Sequence, residues 1–243
     1  MKRFGLIGKN IAYSFSRGYF AQKFKDLGLE SHSYENFDLP SITAFPELIK
    51  SNPDLKGLNV TIPYKQEIIP LLDDLHPEAE AIGAVNTIAF VEGKTMGYNT
   101  DIIGFRDSLK PLLRPTDQAA LVLGSGGASK AVCHVLDSLG IRFEMVSRKP
   151  GPDQYSYQDL TDGVLGQYQI LINCTPLGTH PRIEAAPDLR YEALDSSHLL
   201  YDLVYNPPLT RFLKLGLQQG SRIKNGHEML ELQAEASWGI WNS

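Results

Sequence analysis

The chain has 243 residues, 42% of them apolar and 21% charged, the make-up of one or two folded domains. Its net charge of −5 gives no electrostatic reason to bind nucleic acid or an anionic membrane, and no apolar run is long enough to span a bilayer. Two cysteines, Cys133 and Cys174, are too few for a disulfide framework and read as small buried thiols of a reducing, cytoplasmic protein.

Arg3 to Gly8 reads as a strand ending in a glycine turn, with too short an apolar run for a signal peptide. Tyr19, Phe20, Phe24 and Leu27 make one apolar face of a helix that Gly28 can end. Ser33 to Phe37 alternates like a strand. Ile42, Phe45, Leu48 and Ile49 mark a helix with Ser41 as its N-cap, and Leu55 to Val60 is a third strand. This alternation predicts a largely parallel sheet with helices on both faces. Val85 to Val91 and Thr95 to Tyr98 form a pair of short strands turned at Glu92-Gly93. A Leu- and Ile-rich helix between Asp101 and Thr116 leads into a second domain.

That domain opens with Ala119 to Leu123, an apolar stretch of buried-strand type, then Gly124-Ser125-Gly126-Gly127-Ala128-Ser129, then Lys130 to Leu139 with apolar residues at helical spacing. Strand, glycine turn and helix are the context of a dinucleotide-binding loop. Glycine lets the backbone approach a pyrophosphate, and the helix N-terminus offers free N–H groups. The plainer alternative is a glycine-rich connection without a ligand. The next strand, Arg142 to Val146, ends in Ser147-Arg148-Lys149, where an NAD enzyme carries an acidic residue for the ribose. Two cations and a hydroxyl suit a 2′-phosphate, which points to NADP; the alternative is a solvated basic turn. Ile170 to Asn173 and Leu199 to Val204 are further parallel strands, Thr210 to Gly220 a helix. The last helix, His227 to Ile240, has Met229, Leu230, Leu232 and Ala236 on its inner side. It is expected to return to the first domain and close a cleft.

The fold class is therefore α/β: an N-terminal open α/β domain, 1–101, completed by 227–243, and a Rossmann-type dinucleotide domain, 102–226. Ligands in such sheets sit beyond the carboxyl ends of the strands. In Asn59-Val60-Thr61-Ile62-Pro63-Tyr64-Lys65, Pro63 is expected in the first turn of a helix, whose positive end would disfavour the charged form of Lys65. A lysine so placed can serve as a base near neutral pH; an isolated lysine is more ordinarily a solvated surface residue. Asp101 opens the crossover helix, an N-cap position compatible with catalysis. Asn86 opens a strand, and Ser14 and Ser16 put two hydroxyls on one turn. Neutral donors and acceptors with one cation and one anion suit a small polyhydroxylated acid. The six histidines lack metal-ligand spacing, so no metal is expected.

Nine stretches in order carry a family resemblance. They are Ser14-Phe15-Ser16, Asn59 to Lys65, Gly83 to Thr87, Asn99-Thr100-Asp101, Gly124 to Ala128, Ser147 to Lys149, Asn173 to Gly178, Asp202 to Pro207, and Asn225-Gly226 followed by Met229-Leu230 and Gln233. Across nearly its whole length the chain resembles the shikimate dehydrogenases. The resemblance implies an NADP-dependent oxidoreductase that interconverts 3-dehydroshikimate and shikimate on the route to chorismate and the aromatic amino acids. It implies Lys65 and Asp101 as the catalytic pair, and Ser14, Ser16, Thr61, Lys65, Asn86, Asp101, Tyr205 and Gln233 around the substrate. It implies Gly124, Ser125, Gly126, Gly127, Ala128, Ser147, Arg148, Lys149 and Thr175 on NADP, with Leu203 and Gly226 flanking the nicotinamide. The expected partners are small molecules, with no nucleic acid or membrane, for a monomer or homodimer. Departures from the family pattern are Gly8-Lys9-Asn10 and Arg17 in place of prolines, Ser147 in place of Asn, and His227-Glu228 near the nicotinamide. Two rivals remain: a quinate or mixed quinate/shikimate dehydrogenase, and a catalytically silent NADP-sensing regulator on the same fold.

Overall fold

Residues 2–12 and 14–243 are described by the structure, a computed structural model. The chain divides into two units, Met1–Ile103 with Gln233–Ser243, and Gly104–Leu232. Among the described residues no helix is long and apolar enough to cross a membrane.

In the first unit β1 (Lys2–Gly8) is buried over its last five residues, as a strand covered on both faces must be. Helix α1 (Phe15–Asp26) follows, with Lys23 and Lys25 favourably placed in its last turn. It buries Phe20 and Phe24, whereas Leu27 lies beyond the helix and is 53% exposed. β2 (His32–Asp38) pairs parallel to β1 on one side. Ser41 caps a single 3₁₀ turn by accepting from the Thr43 N–H, and α2 (Phe45–Ser51) continues it. β3 (Leu55–Val60) pairs parallel on the other side of β1.

The parallel order stops there, and the predicted pair of short strands follows. After β4 (Asp74–Leu75) and α3 (Pro77–Ile82), β5 (Thr87–Val91) and β6 (Lys94–Tyr98) form a hairpin. Its turn residues Glu92 and Gly93 both have positive φ, 50° and 81°, and a two-residue turn joins only antiparallel strands. β5 also runs antiparallel to β3, so the six-stranded sheet β2-β1-β3-β5-β6-β4 is mixed.

Helix α4 (Asp101–Leu109) carries the chain into the second unit and ends in one 3₁₀ turn, Lys110–Leu112, shorter than the predicted reach to Thr116. There β7 (Ala119–Leu123) is wholly buried, followed by α5 (Gly127–Ser138), β8 (Arg142–Val146), α6 (Asp162–Leu165), β9 (Ile170–Asn173), β10 (Leu199–Asp202), α7 (Arg211–Gln218), β11 (Arg222–Lys224) and α8 (His227–Trp241). The sheet order is β11-β10-β9-β7-β8, with every pair parallel. β10 stops at Asp202, two residues before the predicted end.

From Gln233 onward α8 belongs to the first unit. Trp238 and Trp241 pack on Phe4, Phe20 and Phe24. Gly57 has no side chain because the Trp241 ring lies against it, and the ring nitrogen donates to the Ile88 carbonyl at 3.0 Å. The buried stripe of α8 is Met229, Gln233, Ala234 and Ser237; Leu230, Leu232 and Ala236, predicted inward, are only partly buried. Gln233 and Ser237 are inward because they meet a polar cluster of the first sheet.

Candidate active site

That cluster starts at the end of β3. Lys65 Nζ donates to Asp101 Oδ2 at 2.6 Å, and the two side chains are 20% and 12% exposed, a pair largely withdrawn from water yet still reachable. Asn86 Nδ2 donates to the other oxygen, Oδ1, at 2.9 Å and lies 3.5 Å from Gln233 Oε1. Asn86 Oδ1 accepts from the Thr100 N–H at 2.7 Å, a main-chain donor that cannot be reversed, so the amide presents its NH₂ to Asp101. The Asp101 N–H in turn donates to Asn99 Oδ1 at 3.1 Å, which holds the start of α4.

Behind these groups stands a layer to which the sequence reading assigned no role. Asn59 Nδ2 donates to Ser237 Oγ at 2.9 Å, Thr87 Oγ1 at 3.1 Å and the Asn86 carbonyl at 3.2 Å. The Tyr34 hydroxyl donates to Asn59 Oδ1 at 2.7 Å and is itself hydrogen-bonded to Ser16. Burial pushes the Tyr34 phenol up, which keeps it a neutral donor. The only trace of this layer in the sequence is the four-residue step from Gln233 to Ser237, one helical turn of polar residues on an inner face.

No helix stands at Lys65. Residues 62–68 are a series of turns before a 3₁₀ turn at Ile69–Leu71. The Lys65 carbonyl accepts from the Val85 N–H at 2.7 Å and is lost to any helical ladder. The expected helix-dipole effect therefore has no source; the group that acts on Lys65 is Asp101. Ser14 sits at the N-cap position of α1 with its hydroxyl making no capping bond, and Ser16 is buried. Thr61 follows β3, its N–H donating to the Ile7 carbonyl at 2.9 Å and its methyl filling the space a Cβ on Gly8 would need. Lys65, Asn86, Asp101 and Gln233 are thus joined directly, and Ser16 through Tyr34 and Asn59. Tyr205 lies in the second unit, just after β10.

The second unit carries the dinucleotide candidates. Gly124 has φ of 105°, and a Cβ there would lie 2.8 Å from the Thr175 methyl. Gly126 is the N-cap of α5 and offers no side-chain cap, while Ser129 turns its hydroxyl back to the Gly126 carbonyl at 2.6 Å. A Cβ built on Gly126 or Gly127 meets nothing, and the first turn of α5 holds no acidic residue. Open space, bare N–H groups and a positive helix end fit a pyrophosphate. The Ser147 hydroxyl accepts from the Lys149 N–H at 3.2 Å and so shapes the turn; Arg148 and Lys149 are exposed and available to a phosphate. Asn173 Oδ1 accepts from Thr175 N–H and hydroxyl at 3.0 and 2.6 Å. A Cβ on Gly226 would collide with the Leu203 carbonyl.

Residues 6–88 match the model of the shikimate dehydrogenase substrate binding domain. The NADP(+) shikimate dehydrogenase of Clostridium beijerinckii is 38% identical over 256 residues, covering 99% of this chain and 92% of the relative. The shikimate dehydrogenase structure from Aquifex aeolicus superposes with a TM-score of 0.88 at 31% identity, over 100% of this chain and 92% of that one. The Thermus thermophilus enzyme, solved in complex with NADP(H) and shikimate, gives 0.86 at 33% identity, over 99% and 93%. Likeness of this degree along almost the full length of both partners places the chain in the shikimate dehydrogenase family.

Proposed function

We propose that the chain is an NADP-dependent shikimate dehydrogenase, which reversibly reduces 3-dehydroshikimate to shikimate on the route to chorismate. The observation that carries this is the 2.6 Å Lys65–Asp101 pair with Asn86 on its far oxygen, in a family whose members bear that activity in their names. NADP, when bound, supplies or accepts the hydride at the ring carbon. Lys65 gives a proton to the carbonyl oxygen in reduction and takes it back from the hydroxyl in oxidation, so one hydride and one proton convert C=O to CH–OH. Asp101 holds the Lys65 ammonium by Oδ2 and, fixed by Asn86 through Oδ1, cannot swing away from it. Ser14, Ser16, Thr61, Asn86, Gln233 and Tyr205 hold the carboxylate and hydroxyls of the substrate, none of them adding a competing charge. Residues Gly124 to Ala128 take the pyrophosphate, Arg148 and Lys149 the 2′-phosphate.

The first unit is the substrate domain and the second the NADP domain, a division supported by where these two groups of residues fall, Tyr205 excepted. The unpaired thiols Cys133 and Cys174 support a cytoplasmic enzyme, working as a monomer or homodimer. The test is NADP⁺ reduction followed by absorbance, with shikimate and, alongside it, quinate. Turnover with shikimate is expected; turnover with quinate alone, or with neither acid, would overturn the reading.

A further inference from the structure

Asp202, the last residue of β10, is fully buried at 0% exposure. Its Oδ1 accepts from Asn173 Nδ2 at 2.9 Å and from the Val204 N–H at 3.0 Å; its Oδ2 accepts from the Thr210 hydroxyl at 2.5 Å. Among the described residues no cation figures in what acts on this carboxyl, only burial and those three donors. An uncompensated buried charge is costly. Position alone does not demand it. An asparagine would keep one oxygen for Asn173 and Val204 and aim its NH₂ at the Thr210 oxygen. The hydrogen bonds specify the shape of this side chain, not its charge, and a charge kept where a neutral isostere fits marks a functional place.

The sheet order says which end of a dinucleotide meets it. Arg148 and Lys149 follow β8, on one side of β7 and its glycine loop. With the 2′-phosphate there and the pyrophosphate at α5, the rest of the molecule must run the other way, over the carboxyl ends of β9 and β10. Those ends are Asn173 and Asp202, paired in register. Leu203 follows, its N–H donating to the Asn173 carbonyl at 3.0 Å.

We propose that ionised Asp202 is the buried counter-charge for the cationic ring of the oxidised dinucleotide; this deepens the NADP reading and rests on it. The oxidised nicotinamide is positive and the reduced one neutral. A fixed anion beneath that end of the site strengthens the binding of NADP⁺ and leaves NADPH nearly untouched, so the protein favours holding the oxidised form.

Equilibrium binding of NADP⁺ and NADPH to the full chain and to Asp202→Asn tests it, by calorimetry and by nucleotide fluorescence. The Kd for NADP⁺ should rise on the order of tenfold relative to that for NADPH, the size of one charge–charge interaction at protein dielectric. An unchanged ratio, including an equal loss for both nucleotides, overturns the proposal, because the carboxylate would then only shape the site. Should Asp202→Asn not fold, the parent's own ratio from pH 8 to 5.5 decides, since protonation removes the same charge. The 2′-phosphate titrates in both nucleotides and drops out of the ratio. Of the groups that feel the Asp202 charge, Cys174 and Tyr191 are pushed up by burial and stay neutral. A flat ratio across that range overturns the proposal. A parent chain that binds neither nucleotide overturns the NADP reading as well, which separates the two failures.

Discussion

Replacing Asp202 by Asn should make the protein more stable at neutral pH and leave it no more stable at pH 4. Burial pushes this carboxyl from 3.8 up to about 6, with the Thr210, Val204 and Asn173 donors only partly offsetting it. Above about 6 the carboxyl is ionised in both the native and the unfolded chain, and the native state carries the whole desolvation cost. As pH falls from 6 to 3.8 the native state takes up a proton that the unfolded state does not, and stability rises. Below 3.8 both states are protonated and the gain is complete. The difference between 3.8 and about 6 corresponds to about 3 kcal/mol. Asn at 202 has nothing to titrate, so its advantage of about 3 kcal/mol at pH 7 should vanish by pH 4. At roughly 2–4 °C per kcal/mol this is about 6–12 °C in Tm. Calorimetric unfolding of both proteins between pH 4 and 8, at fixed ionic strength, reads it directly. Parallel stability curves would refute the reasoning, since they would mean that the three donors, not burial, govern the charge.

Lys65→Ala should lower kcat by about 10²–10⁴-fold with a much smaller change in the KM for shikimate; a raised KM with full turnover at saturation would make Lys65 an anchor instead. Arg148→Ala should weaken NADP⁺ about tenfold to a hundredfold by loss of a charged hydrogen bond, while NAD⁺ binding stays as it was; titration with both nucleotides checks this. Tyr34→Phe leaves the buried Asn59 Oδ1 without its donor and should cost about 1–3 kcal/mol in chemical unfolding, with NADP⁺ binding unaffected.

The dinucleotide half was legible because its signal is local. Ala119–Leu123, the glycines and the amphipathic run after them lie within twenty residues, and backbone freedom at Gly124 is a property of glycine itself. Lys65 shows the opposite case. Proline four residues past Asn59 looks like a helix start, but whether the helix forms depends on who takes the Lys65 carbonyl, and that partner is Val85. The inner face of α8 was misread for a related reason. Apolar periodicity selects Leu230, Leu232 and Ala236, yet the surface awaiting the helix is the polar group of Asn59, Thr87 and Thr100, which only the fold assembles. The hairpin of the first sheet was legible from its turn at Glu92-Gly93; that its first strand would also run antiparallel to β3 was not, because that pairing is made only in the fold. Asp202 stands in the sequence as one more acidic residue; that burial and three neutral donors are what act on it is a fact of three dimensions.

The first unit is discontinuous in sequence: its aromatic core needs Trp238 and Trp241, which are encoded far from Phe4 and Phe20. On a ribosome, the strands of residues 2–98 emerge first yet wait for about 130 further residues before the helix that seals them is made. At roughly 5–20 residues per second that is a delay on the order of ten seconds. The second unit, contiguous from Gly104 to Leu232, is therefore the part able to mature first, although more than a hundred residues precede it. During this interval the nascent amino-terminal half presents Phe4, Phe20 and Phe24 uncovered, and it is the stretch of this chain on which a chaperone would have most to hold.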